Sequence, residues 1–329
     1  MKRKYSRLVL IGSLSLVLII GTACTPNEVQ EAVDTVVEEE HVSVDEPAVE
    51  DSTESEPVEE GEVVEEAESE DQADDQADDQ AQEEGEDSLP PEPRQIPFTA
   101  ADGYEQTGTY YPGTANPGPL VILMHWAPGD QTEWAAIAPW LQNRGMPFPE
   151  SPDPGSPWLD SSWFPAIGEN NSFGVFTFTF RQCEGGCAGF DPEGWLNDAY
   201  GAYEAAKLLP GVDPERMVII GASIGADGAA DACLEGCLGA LSLSPGEYLG
   251  VSYSETVLVA EEEGKPMWCL AAEGDTASYE TCSSAEGELY RSIIHPGSAH
   301  GMMLVVPDTY DPDTMDTILE FLDLTLGLE

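Results

Sequence analysis

The segment from Val218 to Ala226 combines an apolar run with a single serine between two glycines. The run Val218-Ile219-Ile220 is typical of a buried strand, and the small residues 226–232 favour a helix packed closely against a sheet. A sharp turn from strand into helix strains the central residue, exposes its side chain and leaves room only for glycine two positions to either side. The pattern predicts that Ser223 is a nucleophile at such a turn. The alternative is an ordinary Gly-Ser turn without a catalytic role, which this five-residue pattern also allows.

The first 23 residues have the pattern of an export signal. Basic residues precede the apolar stretch 8–20, which is shorter than the ~20 residues that span a bilayer. Small residues then precede Cys24, and they resemble the cleavage box of a bacterial lipoprotein. We expect residues 1–23 to be removed and Cys24 to be lipidated, so that the protein is anchored to the bacterial cell membrane outside the cytoplasm. An ordinary signal peptide and an uncleaved anchor are the alternatives.

Residues 24–93 form an acidic segment. From Thr25 to Pro93 there are 29 Asp and Glu residues and no Lys or Arg, and an Asp-Gln-Ala-Asp repeat begins at Asp71. Such a composition buries too little apolar surface to offset chain entropy, and its like charges repel one another. We predict a disordered, solvated tether. Weak binding of divalent cations is the alternative, but the repeat lacks the glycine turn and spaced ligands of a calcium loop.

The remaining residues, 94–329, are long enough for one large domain and are also acidic. The 64 acidic residues of the chain less the 29 of the tether leave 35, against seven basic residues, for a net charge near −28. Without a basic patch, nucleic acid is excluded as a partner and polyanionic substrates are repelled. We expect a small neutral or apolar substrate, although solubility alone also explains the acidic balance.

Six cysteines remain in this domain when Cys24 is set aside. In an oxidising compartment an even number predicts disulfides, and the simplest of the 15 possible connectivities pairs neighbours. These pairs are Cys183 with Cys187, Cys233 with Cys237, and Cys269 with Cys282. The alternative is a zinc site built from the two C-x-x-x-C pairs. We favour the disulfides and expect neither a metal nor a cofactor.

Predicted strands and helices alternate along residues 94–329. Apolar runs predict strands at 104–111, 120–124, 173–180, 217–220, 238–243, 267–272 and 289–294. Apolar residues at helical spacing predict helices at 131–144, 195–209 (with Asp191 as cap and Pro192 in the first turn) and 314–326. The alternation indicates an α/β fold with a doubly wound, mostly parallel sheet and helices on both faces, whose ligands bind beyond the carboxyl ends of the strands.

Candidate chemical groups follow these strand ends: His125, Ser223, Asp275 and His300. The order serine, aspartate, histidine and the G-x-S-x-G segment make the chain from about Tyr104 to its C-terminus resemble the α/β-hydrolases, near dienelactone hydrolase and small exported esterases. The resemblance covers most of residues 100–326. The resemblance implies that Ser223 attacks an ester, His300 takes its proton and Asp275 orients His300. Ala299-His300-Gly301-Met302 is similar to the family's histidine loop. His295 is the alternative base and Glu273 the alternative acid.

The resemblance also implies an oxyanion hole made of backbone N–H groups, from Ile224 and from the loop after the second strand. Where relatives carry H-G-x-P, this chain has His125-Trp126-Ala127-Pro128, so Ala127 is the second expected donor and a tryptophan replaces the usual glycine. His125 and Arg181 are interpreted as structural residues.

An insertion at 146–172 is rich in proline and aromatic residues, among them Trp158, Trp163 and Phe164. A lid over the site and a long loop packed on the domain are both compatible with it. Together these features predict an extracytoplasmic serine hydrolase that cleaves a carboxylic ester through a Ser-His-Asp triad and an acyl-enzyme. A peptidase of the same fold and a non-catalytic binding lipoprotein are the alternatives.

Overall fold

The computed structural model describes residues 88–147, 163–306 and 310–328. The predicted export signal, the predicted lipidation site Cys24 and residues 24–87 of the predicted tether lie outside this range, as does Trp158. In the described part of the chain, no helix combines the length and the apolar character that crossing a membrane requires.

The described residues contain an eight-stranded sheet with the order β1-β2-β4-β3-β5-β6-β7-β8. Strands β1 and β2 pair antiparallel, as do β2 and β4, and every other neighbouring pair is parallel. The strands are β1 Arg94–Thr99, β2 Glu105–Tyr111, β3 Gly118–Met124, β4 Gly174–Phe178, β5 Val212–Ala222, β6 Cys237–Leu243, β7 Met267–Ala272 and β8 Tyr290–His295. All seven predicted strands are present, and β1 was not predicted.

Helices cover both faces of the sheet and make two cores. The α-helices are α1 Ile137–Gln142, α2 Pro192–Ala206, α3 Ile224–Asp231, α4 Tyr253–Glu262, α5 Thr276–Ser284 and α6 Thr314–Leu326. One core joins the sheet to α2, α3, α4 and α5, and the other joins it to α1 and α6. Because β3 is covered on both faces, all of its residues are buried, as its continuous apolar run predicts. The predicted doubly wound α/β architecture is confirmed.

The predicted helix 131–144 is divided in two. A 3-10 turn covers Gln131–Trp134, and α1 begins only at Ile137. Proline tolerates only the first turn of a helix, because its ring lacks an N–H and clashes with the carbonyl four residues earlier. Pro139 therefore lies in the first turn of α1. The predicted apolar face is correct, since Trp134, Ile137 and Leu141 are fully buried.

The six cysteines form three disulfides between sequence neighbours, as the simplest predicted connectivity has them: Cys183–Cys187, Cys233–Cys237 and Cys269–Cys282.

The contacts of the domain also extend into the last residues assigned to the tether. Gln142 Nε2 donates a hydrogen bond to the Pro91 carbonyl at 2.7 Å, and an Arg144 N–H donates one to the Leu89 carbonyl at 2.6 Å.

Candidate active site

Ser223 lies at the turn between β5 and α3, near the centre of the parallel part of the sheet. Its backbone has φ 54° and ψ −117°, a conformation that is strained for a residue with a Cβ. The flanking glycines permit close approach of three chain segments. A Cβ on Gly221 would lie 1.9 Å from the Gly225 carbonyl oxygen, and one on Gly225 would lie 2.3 Å from that of Met124. The predicted strained turn is present.

His300 lies in the loop after β8, at the start of the 3-10 helix Gly301–Val305. Its Nε2 atom is 2.8 Å from Ser223 Oγ, although the two residues are 77 positions apart in sequence. The loop is anchored to the residue after β6, because the Gly301 N–H donates a hydrogen bond to Ser244 Oγ at 2.9 Å. Gly301 itself has φ 56°, a backbone conformation that favours glycine.

Asp275 follows β7 and precedes α5. Its Oδ2 atom lies 2.7 Å from His300 Nδ1, so that one imidazole bridges the carboxylate and the serine hydroxyl. The side chain of Asp275 is 12% exposed and that of His300 is 33% exposed, which leaves the site open to a substrate. With Nδ1–H donating to the carboxylate, Nε2 is free to accept the proton of the serine hydroxyl.

The two alternative residues lie elsewhere. His295 is buried at the end of β8, where its ring stacks on Tyr310 with centroids 4.4 Å apart. Glu273 is exposed, and its contribution to the loop is a backbone hydrogen bond to the His295 carbonyl. Of the two candidate bases and the two candidate acids, His300 and Asp275 are the ones that lie together with Ser223.

The two expected oxyanion donors belong to segments that meet near Ser223. Ile224 is the first residue of α3, and the N–H groups in the first turn of a helix have no partner within that helix. Ala127 lies in the loop after β3. This loop lies close to the start of α3, as is shown by the 2.6 Å that would separate a Cβ on Gly225 from the His125 carbonyl oxygen. Two backbone N–H groups therefore come from segments that meet beside Ser223, as an oxyanion hole requires.

Trp126 occupies the position where glycine is usual without needing glycine's conformation. Among the described non-glycine residues, those with positive φ are Asn143, Gln182, Ser223, Ser244 and Glu247, and Trp126 is not one of them. Its ring lies against the histidine loop, since a Cβ on Gly301 would be 3.0 Å from Trp126 Cε3. The backbone at Trp126 therefore does not need the left-handed conformation that glycine adopts freely.

His125 and Arg181 make structural contacts, as predicted. His125 is fully buried, accepts a hydrogen bond from the Phe180 N–H at 2.9 Å, and its Nδ1 lies 2.7 Å from the Trp126 carbonyl. Burial lowers the pKa of His125 to about 4, so the ring is neutral. Arg181 is ion-paired with Asp198 at 2.7 Å and Asp102 at 2.6 Å. These side chains anchor the segment after β4.

Three supporting residues were not identified from the sequence: Ser244, Asp227 and Tyr248. Asp227 is four positions after Ser223 on α3, and its buried carboxylate accepts backbone hydrogen bonds from Gly246, Tyr248 and Leu249. Burial raises its pKa to about 7 against the opposing effect of these donors. The anchored loop places the Tyr248 ring edge-on to His300, with centroids 6.1 Å apart. An acid in a run of small residues was the available signal.

The described part of the 146–172 insertion packs partly on the domain. The Phe164 ring packs at a tilted angle on Trp140, with centroids 5.4 Å apart, and Trp140 Nε1 donates a hydrogen bond to the Pro165 carbonyl at 2.7 Å. Trp163 is exposed. For Phe164 the packing alternative is correct.

No family model matches the chain. No curated protein matches it either. Among solved structures, the α/β hydrolase GrgF from Penicillium sp. sh18 is similar over 73% of this chain and 100% of its own, with a TM-score of 0.50 and 14% identity.

Two further structures cover similar shares. The Pyrococcus furiosus esterase Pf2001 has 14% identity and a TM-score of 0.47 over 72% of this chain and 94% of its own. The dienelactone hydrolase from Anabaena variabilis has 11% identity and a TM-score of 0.47 over 72% and 99%. At these identities a structural likeness defines the fold alone. The sheet order, the strained turn at Ser223 and the likeness to GrgF together identify the fold of the described residues from β1 to α6 as an α/β-hydrolase fold.

Proposed function

We propose that this protein is a serine hydrolase that cleaves a carboxylic ester through an acyl-enzyme. The observation that carries the proposal is the chain of hydrogen bonds from Ser223 Oγ through His300 to Asp275, with distances of 2.8 and 2.7 Å. A serine hydroxyl is a weak nucleophile unless a base takes its proton, and a histidine bonded to a buried carboxylate is suited to that task.

In the proposed mechanism Ser223 attacks the ester carbonyl while His300 Nε2 takes the hydroxyl proton. Asp275 keeps the imidazole in the required tautomer and offsets its positive charge. The Ala127 and Ile224 N–H groups donate to the oxygen that gains negative charge. His300 then gives its proton to the leaving alcohol. In the second half of the reaction His300 takes a proton from a water molecule that attacks the acyl-enzyme, and it then returns the proton to Ser223.

The charge of the domain supports a neutral or apolar substrate. Exposed acidic residues of the surrounding loops repel anions, such as Glu273, two positions before Asp275, and Glu184, in the loop that contacts residues 127–130. Trp126, Tyr248 and Met303 are aromatic or apolar side chains of the loops around Ser223 and His300, and they suit an apolar acyl or alcohol group. The mechanism needs no cofactor.

We further propose that the protein works outside the cytoplasm, tethered to the bacterial membrane by a lipid on Cys24. Three disulfides in one domain support an oxidising compartment. Metabolic labelling with a palmitate analogue tests the anchor. Label on the wild-type protein and none on Cys24→Ser is the expected result, and equal label on both contradicts lipidation at this residue.

The catalytic proposal is tested with a fluorophosphonate probe, which reacts with activated serines. Mass spectrometry is expected to find the label on Ser223 of the wild-type protein and none on Ser223→Ala. A folded wild-type protein that stays unlabelled at Ser223 contradicts the proposal.

The reaction class is tested with p-nitrophenyl esters of graded acyl length beside aminoacyl p-nitroanilides. Hydrolysis of the esters with little turnover of the anilides is the expected result. Faster anilide hydrolysis replaces the esterase by a peptidase with the same catalytic groups. Ligand binding without turnover of either substrate, unchanged in Ser223→Ala, identifies a binding protein.

A further inference from the structure

Residues 183–187 form a small loop, closed by the Cys183–Cys187 disulfide, that packs against the loop after β3. The Cys187 N–H donates a hydrogen bond to the Ala127 carbonyl at 2.8 Å. The Gly185 N–H donates one to Asp130 Oδ2, also at 2.8 Å. The disulfide loop thus holds the 127–130 segment at both of its ends.

The conformation of the disulfide loop is unusual for a free chain. Gln182, Gly185 and Gly186 all have positive φ, at 61°, 69° and 114°. Gly186 also lies against the neighbouring segment, because a Cβ there would be 3.0 Å from the Pro128 carbonyl oxygen. An unlinked segment with two adjacent glycines has many other conformations, and a covalent link between its ends removes most of them.

The disulfide connects this exposed loop to the core. Cys183 is fully buried and belongs to the core between the sheet and α2, whereas Cys187 is only partly buried. The Cys183 N–H donates to the Phe180 carbonyl, which continues the line of β4. Through the S–S bond, the backbone of Cys187 is therefore fixed relative to the sheet that carries Ser223.

We propose that the Cys183–Cys187 disulfide is a positioning element for the oxyanion hole. It fixes the Cys187 N–H, which fixes the Ala127 carbonyl, and this restrains the backbone whose N–H group faces the developing oxyanion. The inference rests on the proposed serine hydrolase. Because a misplacement of about 1 Å in a catalytic group can cost as much as 10²-fold in rate, opening this link reduces catalysis without removing any reacting group.

The chain offers a matched control in the Cys233–Cys237 disulfide. It also joins cysteines four positions apart, and it also has one buried and one partly buried partner. It lies between the end of α3 and the start of β6, at the opposite end of the sheet's strands from Ser223. The experiment compares Cys183→Ala/Cys187→Ala with Cys233→Ala/Cys237→Ala in the full chain.

For each variant, kcat and KM are measured on the best p-nitrophenyl ester, together with the inhibition constant of an aryl trifluoromethyl ketone, which forms a tetrahedral adduct with the serine. We expect the Cys183/Cys187 variant to lose about 10- to 100-fold in kcat, with KM within about threefold and the inhibition constant raised in parallel with the loss of kcat. We expect the control variant to keep kcat within about twofold.

Equal kcat values for the two variants overturn the inference, as does a loss that appears in KM alone. If the Cys183/Cys187 variant does not fold, native protein is treated with a phosphine reductant and mass spectrometry reports which pair has opened. Retained kcat with Cys183 and Cys187 reduced then overturns it. A wild-type protein without esterase activity is a failure of the proposed function instead, so the two failures are distinguishable.

Discussion

His125 Nδ1 donates a hydrogen bond to the carbonyl oxygen of Trp126, 2.7 Å away. Nδ1 is the nitrogen that carries the proton, because Nε2 accepts a hydrogen bond from the Phe180 N–H and must therefore be unprotonated. The Trp126 carbonyl and the Ala127 N–H belong to the same planar peptide group and point in opposite directions. The same carbonyl also accepts the Gly129 N–H at 3.2 Å, so the buried His125 helps to restrain the direction of the proposed oxyanion donor.

Replacing His125 with phenylalanine is therefore expected to lower kcat by about 10- to 100-fold with little change in KM, since one of the two donors is misaligned. The matched control is His295→Phe, a second buried histidine at a strand end that does not contact Ser223. Steady-state ester hydrolysis by the two variants provides the measurement. Similar losses in both variants show that burial of a histidine, and not the peptide orientation, is responsible.

The stability of the domain is expected to depend on pH through His125. Burial lowers its pKa to about 4 in the folded protein, whereas the unfolded value is near 6.5, so protons bind preferentially to the unfolded chain. Stability that is fully present above the unfolded pKa is lost as the pH falls towards 4, by about 3 kcal/mol. Asp227 acts in the opposite direction, because its pKa is raised to about 7 and its contribution is lost as the pH rises through that value.

Comparison of the wild-type protein with His125→Phe separates these two effects. The difference in unfolding free energy between them is expected to shrink by about 3 kcal/mol from about pH 7 to about pH 4. Urea denaturation at a series of pH values gives the difference. A difference that is constant across this range contradicts a neutral buried imidazole.

Ser223→Gly is expected to stabilise the domain by about 1–2 kcal/mol while abolishing hydrolysis, because glycine adopts φ 54° without steric cost. Ser223→Ala is the matched control. It also removes the hydroxyl but keeps the Cβ that causes the strain. Thermal unfolding of both variants checks the prediction. Equal unfolding temperatures contradict the backbone strain assigned to residue 223.

Gly225→Ala is expected to destabilise the domain by at least about 3 kcal/mol, since its Cβ would meet the backbone of both Met124 and His125. Backbone atoms of a central strand cannot move aside without disturbing the sheet. Gly189→Ala serves as the control, because a Cβ there has no atom within 4 Å. Chemical denaturation of the two variants is the measurement, and equal free energies contradict the close packing of α3 on β3.

The sequence predicts the central site well because parallel strands bring their carboxyl ends to one edge. Ser223, Asp275 and His300 each follow a predicted strand, so their approach follows from topology alone. Helix α5 was not predicted, because Thr276–Ser284 is largely polar and buries only Ser278 and Cys282. Helix α4 has buried residues at helical spacing, Tyr253, Val257 and Ala260, and that signal was available but not used.

Other features depend on contacts that no sequence pattern contains. Strand β1 alternates polar and apolar residues only weakly and includes Pro97, which is tolerated because β1 is an edge strand. The roles of Ser244 and Asp227 come from hydrogen bonds to loops 57 and about 20 positions away. Such partners are chosen by tertiary packing, and local propensity gives no indication of them.

Arg181 forms two ion pairs beside the segment that follows β4. Its guanidinium lies between the fully buried Asp198 and the partly exposed Asp102 and stacks over Tyr104 at 4.4 Å. Hydrogen bonds from the Arg181 side chain, together with its charge, lower the pKa of Asp102 to about 2, so the stability from this pair is present above the ordinary pKa of aspartate and lost as the pH falls through 2.

Arg181→Gln leaves the Asp198 carboxylate buried without its cation, and we expect it to cost about 3–5 kcal/mol of unfolding free energy. Arg291→Gln is the matched control, because its pair with Glu320 is exposed and such pairs contribute about 0–1 kcal/mol. Urea denaturation near neutral pH compares the two. Since Arg181 anchors the segment that leads from β4 to the Cys183–Cys187 disulfide, the first variant is also expected to lose kcat and the second is not.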